Sequence, residues 1–339
     1  MANVKHLCIG EPRGELKRSV GTAYFRANYG MEDDAHAGGG HRQVNLLAEE
    51  DINALGQANV RPGVFSENIV LSGLDFSELG LGTTVRLGNS VILSVTQTGK
   101  AVYPSENVVR LNGDNIMARS GLFARVEQGG EVSVGDEVEL LNVVPRDRFQ
   151  VVVITVSDRC SQGETVDTAG PAVVGLLQDS LDANIYRTDV VPDDKQTIMG
   201  RLEHYSDGHS IDLIVTVGGT GPAPRDITPE ATQAVVERST PGFDEAMRYA
   251  SLAKTPTAML SRGASGIRQS TLIINLPAPP WKILKSYLPR YLMAWSSSAA
   301  IPAIARVVRN GLRRLRKSLL REVDIALGFS ARVERARPC

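Results

Sequence analysis

The chain has 339 residues, enough to bury two cores rather than one. Its formal net charge of −1 provides no overall field for nucleic acid or an anionic membrane surface. Cys8, Cys160 and Cys339 are an odd, widely spaced set that fits neither a disulfide framework nor a zinc site. The opening MANVKHLCIGEPRG carries no apolar signal core, and no apolar run approaches the ~20 residues that span a bilayer. A soluble, cytoplasmic protein is expected, with no transmembrane segment and no nucleic-acid partner.

In chain order, residues 1–146 read as short β segments: HLCIG, TVRLGNSVILSVTQTG and GLFARVEQGGEVSVGDEVELLNV. Alternating apolar and polar positions, broken by Gly, Asn and Asp, predict a closed or nearly closed antiparallel sheet, a mainly-β barrel. One helix is expected across LLAEEDINALGQ, and VVPRDRF reads as a linker. From Phe149 the texture changes. FQVVVITVS is a continuous β-branched run, followed by a helix over GPAVVGLLQDSL. The theme repeats: strand NIYRTDVV and helix DKQTIMGRLEHYS, strand IDLIVTV and helix PEATQAVVERS, then a last strand STLIINLP. Buried strands alternating with helices predict an α/β domain over 147–280, a mostly parallel sheet with helices on both faces. Ligands of such sheets bind beyond the carboxyl ends of the strands.

That position is where VGGTGPAPRDITPEAT lies. Gly218, Gly219 and Gly221 let backbone amides approach an anion, and Thr228 with Pro229 predicts a helix start, Thr228 as its cap. A helix start and exposed amides favour phosphate. A tight turn with glycines for steric reasons alone is the competing reading. Asp158, Asp193 and Asp226 each follow a strand, so three carboxylates are expected at one sheet edge. There they can hold Mg²⁺ together with substrate phosphates. Asp193 or Asp194 acting only as a helix cap is the alternative for that pair.

TVSDRCSQGETVDTAGP, VGGTGPAPRDITPEAT, PGFDEAMR, TAMLSRGASGIR and LIINLP occur in this order. Together they resemble the molybdopterin adenylyltransferase family, MogA/MoaB and the related G domain of gephyrin, over about residues 149–277. The resemblance implies a trimeric α/β fold that uses ATP and Mg²⁺. AMP is joined to the terminal phosphate of molybdopterin, pyrophosphate leaves, and the product passes to a molybdate-insertion partner. It also implies that Asp193 and Asp226 are the essential carboxylates and metal ligands. Asp158, Ser157, Gly218, Gly219, Thr220, Gly221 and Arg225 would belong to the substrate and nucleotide pocket. Glu245 and Arg248, with Ser261 and Arg262, would complete that pocket, against the alternative of helix solvation or a subunit interface.

YGMEDDAHAGGGHRQVNLL, RPGVFSENIVLSGLDF, LGLGTTVRLGNSVILSVTQTGK and GLFARVEQGGEVSVGDEVEL are similar to a MOSC domain, over about residues 1–141. That resemblance implies a β-barrel that binds molybdenum cofactor or handles sulfur through a cysteine. Here the text after GK is AVYPSENVVRLNGDNIM, without cysteine, so cofactor binding rather than sulfur transfer is expected. Arg42, Glu67 and Asn68 match the family pocket. Asp34, His36 and His41 form either an oxygen–nitrogen metal site or a hydrogen-bonded loop.

The family pattern breaks after LP, where LPAPPWKILKSYL replaces LPG. Ala278 in place of glycine would make any left-handed backbone there costly. Residues 281–339 form an atypical tail, and from 301 onward nine arginines and one lysine stand against three acids. A basic amphipathic helix for an acidic partner, a solvated extension and an out-of-frame ending are the three readings. The last rests on codons: APPWKILK can be written so that reading one base earlier gives GTTMENPE, which restores the glycine. Three functions follow for the whole chain: adenylylation of molybdopterin, a non-catalytic molybdopterin carrier or scaffold, or reduction of N-hydroxylated compounds by the barrel.

Overall fold

The computed structural model describes residues 1–11, 16–56, 60–99, 116–181 and 183–278. The basic tail, Cys339 and most of AVYPSENVVRLNGDNIM lie outside the described residues. The chain divides into two compact units, one of residues 1–148 with 207–210, the other comprising the rest. Among the described residues no helix is long and apolar enough to cross a membrane.

The first unit is sheet-rich. Its strands are β1 (Asn3–Ile9), β2 (Arg18–Val20), β3 (Thr22–Arg26), β4 (Gly30–Met31), β5 (Val44–Ala48) and β6 (Ile69–Ser72). They are followed by β7 (Thr84–Leu87), β8 (Val91–Thr98), β9 (Leu122–Gln128), β10 (Gly130–Ser133) and β11 (Val138–Asn142). One sheet runs β11-β7-β8-β9-β5-β6-β1-β2, and a smaller one runs β10-β3-β4. Alternation in β7 and β8 sends Val85, Leu87, Val91, Leu93 and Val95 into one apolar cluster, while Thr84 and Arg86 face away. Pairing is antiparallel except between β5 and β6, which run parallel, contrary to the expected all-antiparallel sheet. The helix expected across LLAEEDINALGQ is only α1 (Glu49–Asn53). Leu46, Leu47 and Ala48 are fully buried strand residues of β5, because a short apolar run satisfies a buried strand as well as a helix.

The second unit has β12 (Gln150–Val156), β13 (Asn184–Val191), β14 (Leu213–Val217), β15 (Arg238–Ser239), β16 (Ser265–Arg268) and β17 (Thr271–Leu276), in the order β13-β12-β14-β17-β16-β15. The first four strands of that order run parallel, β16 reverses, and β15, antiparallel to β16, runs with the first four, a mixed and mostly parallel sheet. Every residue of β12, β14 and β17 is buried, so both faces are covered.

Helices α2 (Asp158–Ser161), α3 (Ala169–Leu181), α4 (Lys195–Gly208), α5 (Thr228–Val235) and α6 (Pro241–Leu252) complete the unit. Val173, Leu176, Leu177 and Leu181 of α3 pack with Val151, Val153, Val215 and Ile274 on one face, joined by Phe243 of α6. On the other face α5 is pinned by Asn275, whose Nδ2 donates to Thr216 and Thr232 Oγ1, both at 2.8 Å. PEATQAVVERS is helical only to Val235, because Arg238 and Ser239 pair with β16.

Candidate active site

Four parallel strands end together at Val156, Val191, Val217 and Leu276, and the loops leaving those ends build the site. After β12, Ser157 caps α2 by accepting from Cys160 N at 3.3 Å, which makes Asp158 the first helical residue. After β13, Asp194 takes over the capping of α4, accepting from Thr197 N at 2.8 Å and Thr197 Oγ1 at 2.7 Å. The same two bonds hold its carboxyl below the usual range. Of the adjacent pair, Asp194 is therefore the cap.

Asp193 turns instead toward Asp158. Asp158 N donates to Asp193 Oδ2 at 2.9 Å, and Asp193 N donates to Asp158 Oδ1 at 3.0 Å. Arg225 ion-pairs with the other oxygen of Asp158 and reaches the Asp193 carbonyl at 3.4 Å. Burial raises the Asp193 pKa, and the charges of Asp158 and Asp226 push the same way, against the Asp158 amide and Arg225. Asp158 and Asp193 thus stand together at adjacent strand ends, and Asp226, in the loop between β14 and α5, lies near enough for its charge to act on Asp193.

After β14 the chain turns through Gly218 (φ 109°) and Gly219 (φ 61°). A Cβ on Gly218 would run into the Val156 carbonyl oxygen, and one on Gly219 would meet Thr228 Oγ1 and lie 3.1 Å from Asp193 Oδ1. Both glycines are therefore required by sterics, and one of them brings the turn against Asp193. The turn closes on itself: Asp226 Oδ2 accepts from Ala223 N at 3.0 Å, and Thr228 N donates to Gly219 O at 3.1 Å. Thr228 does not cap α5 through its side chain. It is the first residue of the helix, and its fully buried hydroxyl has no hydrogen-bond partner among the described residues.

Arg262 braces this loop from the far side. Its backbone N donates to Thr220 O at 2.8 Å, Nε donates to Gly221 O at 2.8 Å, and the guanidinium also reaches Asp226 O and Glu230. The bond from Arg262 draws the Glu230 pKa down.

Beside the loop opens a cavity of about 290 Å³. Thr220, Gly221, Arg248 and Ser261, four residues singled out from the sequence, line it, while Glu245 is exposed and Arg262 stands outside the lining. The sequence reading missed Asp244 and Asn275, which also form its wall. Asp244 is only 6% exposed, and burial pushes its carboxyl up to about 6. Pro277 and Ala278 complete the rim. Ala278 is not among the described non-glycine residues with left-handed backbone, so the expected cost of replacing glycine does not arise.

The other expected pocket, in the first unit, is largely self-satisfied. Asp34 accepts from Lys17 Nζ, Gly10 N and His36 N at 2.9–3.1 Å, and His36 Nδ1 lies 3.2 Å away. Burial raises its pKa, but the His36 bonds and the Lys17 charge win and hold it below the usual range. Asp34 and His36 thus share a hydrogen-bonded loop, while the His41 ring lies 3.2 Å from Gln97 Oε1 instead, and among the described residues no group of three or more His, Cys, Asp or Glu can hold a metal ion. Glu67 accepts from Gly63 N and Phe65 N, and Asn68 bonds Asn45 N and Cys8 O. Both side chains are buried pegs for backbone. Arg42 donates to Gln97 Oε1 at 2.6 Å, with its guanidinium over the Phe123 ring. Cys8 is fully buried, and its thiol is pushed up to about 12 by burial and by Glu67, which excludes it as a nucleophile.

A family profile described as "Probable molybdopterin binding domain" matches residues 152–288, and a MOSC domain profile matches residues 33–139. Molybdopterin adenylyltransferase of Helicobacter pylori (strain J99) is 46% identical over 136 residues, 40% of this chain and 77% of that protein. The chain belongs to the molybdopterin adenylyltransferase family. Molybdopterin adenylyltransferase of Escherichia coli (strain K12) is 42% identical over 136 residues, covering 40% of this chain and 70% of that protein. The crystal structure of the molybdopterin biosynthesis enzyme MoaB from Thermus thermophilus aligns at 42% identity with a TM-score of 0.41, covering 44% of this chain and 95% of that one. The adenylyltransferase relationship resides in the second unit, which holds the aspartate edge, the glycine turn and the cavity.

Proposed function

We propose that the second unit adenylylates molybdopterin with ATP and Mg²⁺. The observation that carries this reading is the juxtaposition of Asp158, Asp193 and Asp226 with the turn at Gly218 and Gly219. In the proposed reaction an oxygen of the terminal molybdopterin phosphate attacks the α-phosphorus of ATP. The new P–O bond forms as the bond to the bridging oxygen breaks, and pyrophosphate leaves with that electron pair. The protein's task is to hold two anions in line, neutralise charge and exclude water. The backbone around Gly218–Gly221 and the guanidinium of Arg225 are the groups that would hold phosphate, while Ser157 fixes the loop bearing Asp158.

The donor set suits Mg²⁺, which takes one or two carboxylates and completes its shell with water and phosphate oxygens. Asp193 Oδ1 and Asp226 Oδ1 accept no hydrogen bond among the described residues, so each has an oxygen to give. When bound there, the ion would screen the phosphates and polarise the α-phosphoryl group. The cavity lined by Thr220, Arg248 and Ser261 would take the pterin end. The reading of the first unit as a MOSC-like barrel is supported by its sheet order and by the Asn3–Glu137 bridge, which joins β1 to the residue before β11, and cofactor binding there follows from the MOSC resemblance. A homo-oligomer, a trimer by family resemblance, is supported by exposed Tyr249, Leu252, Met259 and Leu260.

The test is incubation of the full chain with molybdopterin, ATP and Mg²⁺, followed by mass spectrometry. Adenylylated product from the wild type and not from Asp226→Ala is the expected result. Pterin retained without AMP transfer would instead favour the carrier reading.

A further inference from the structure

Helix α6 places residues 244, 247, 248 and 251 on one face, and all four line the cavity. Asp244 is the acceptor-only member of that wall. Its Oδ2 lies 3.0 Å from Ser265 Oγ, but the same hydroxyl lies 2.7 Å from Thr240 O and has a single hydrogen to give. Its Oδ1 is buried without a partner among the described residues. The nearest cation along the helix, Arg248, directs Nη1 at the carbonyl oxygens of Ser261 and Gly263 instead. The Ser265 backbone amide also donates to this carboxylate, but a buried carboxyl with one oxygen unpartnered is destabilising unless something outside the protein supplies a donor.

We infer that Asp244 is a specificity-determining residue of this cavity, accepting a hydrogen bond from the N–H-donating edge of a pterin ring. The inference rests on the reading that the cavity takes the pterin. A pterin presents a ring N–H and an exocyclic amino group side by side, a pair of neutral donors that suits a carboxylate. Phosphate brings negative charge and no donor, so Asp244 repels it and sends the anionic end toward the glycine turn. Adenine sets its amino group beside ring acceptors and matches a carboxylate poorly. Asp244 therefore gives the cavity a direction as well as a preference.

The test uses the full chain and two fluorescent probes, pterin and lumazine, in which a carbonyl replaces the 2-amino group. Wild type is expected to bind pterin about tenfold more tightly than lumazine or better, the worth of a hydrogen bond to a charged group. Asp244→Asn, whose amide can donate to that carbonyl, is expected to erase or reverse the preference, and Asp244→Leu to erase it, with Mg²⁺–ATP binding little changed. Equal binding of the two probes by wild type, which needs no substitution, overturns this inference alone. Failure to bind either probe overturns both the inference and the reading beneath it.

Discussion

Asp158 and Asp193 hold each other by crossed hydrogen bonds, the amide of each donating to the carboxylate of the other at 2.9 and 3.0 Å. This fastens the ends of β12 and β13 together and fixes two carboxylates that Coulomb repulsion would otherwise separate. Each backbone donor is satisfied by an acid, so the charge is held without a buried lysine. One oxygen of Asp193 remains available beside the glycine turn.

The turn itself has no room for a side chain. Gly218→Ala sets a methyl group into the Val156 carbonyl oxygen at φ 109°. Strain and overlap together are expected to cost about 2 kcal/mol or more. A lowered urea midpoint for the second unit, with loss of turnover, is the expected result.

Asp244 stores a cost that pH can reveal. Its folded pKa, about 6, lies above the ordinary value of 3.8, because burial disfavours the charge. The native state therefore binds the extra proton between those values, and wild-type stability falls as pH rises through that window. Asp244→Asn removes the charge, so it should be more stable than wild type above pH 6, by at most about 3 kcal/mol. That advantage should fade toward pH 4. Urea unfolding at several pH values measures it; an advantage independent of pH would contradict the assignment.

In the first unit, Lys17 and Asp34 form an ion pair whose side chains are 1% and 0% exposed. Burial lowers the Lys17 pKa while Asp34 opposes it. Lys17→Met strands a buried carboxylate and is expected to destabilise that unit by about 3–5 kcal/mol. The double variant Lys17→Met, Asp34→Leu should recover most of the loss, as read from urea melts.

Much of the second unit is legible in the sequence. FQVVVITVS and IDLIVTV are continuous apolar runs because both sheet faces are covered, and the Asp beyond the end of each of β12, β13 and β14 arrives at the same edge by topology alone. Asp244 escaped because it sits beside Glu245 in PGFDEAMR, and either acid suits a solvated helix. Helical spacing was the available signal, since residue 244 shares a face with Met247, Arg248 and Ser251 while 245 does not. The parallel pairing of β5 with β6 had no local signature, because alternation does not record strand direction. Glu67 and Asn68 looked like ligand groups, yet their polar atoms are consumed by backbone that no sequence pattern displays.

The central claim is that Asp193 and Asp226 act together on phosphate chemistry. It is tested most directly by molybdopterin-dependent pyrophosphate release from ATP in wild type, Asp193→Asn and Asp226→Asn, each checked by circular dichroism. Release by the wild type, lowered about a hundredfold or more in both folded variants, is the predicted result. Release at the wild-type rate from either variant would contradict it.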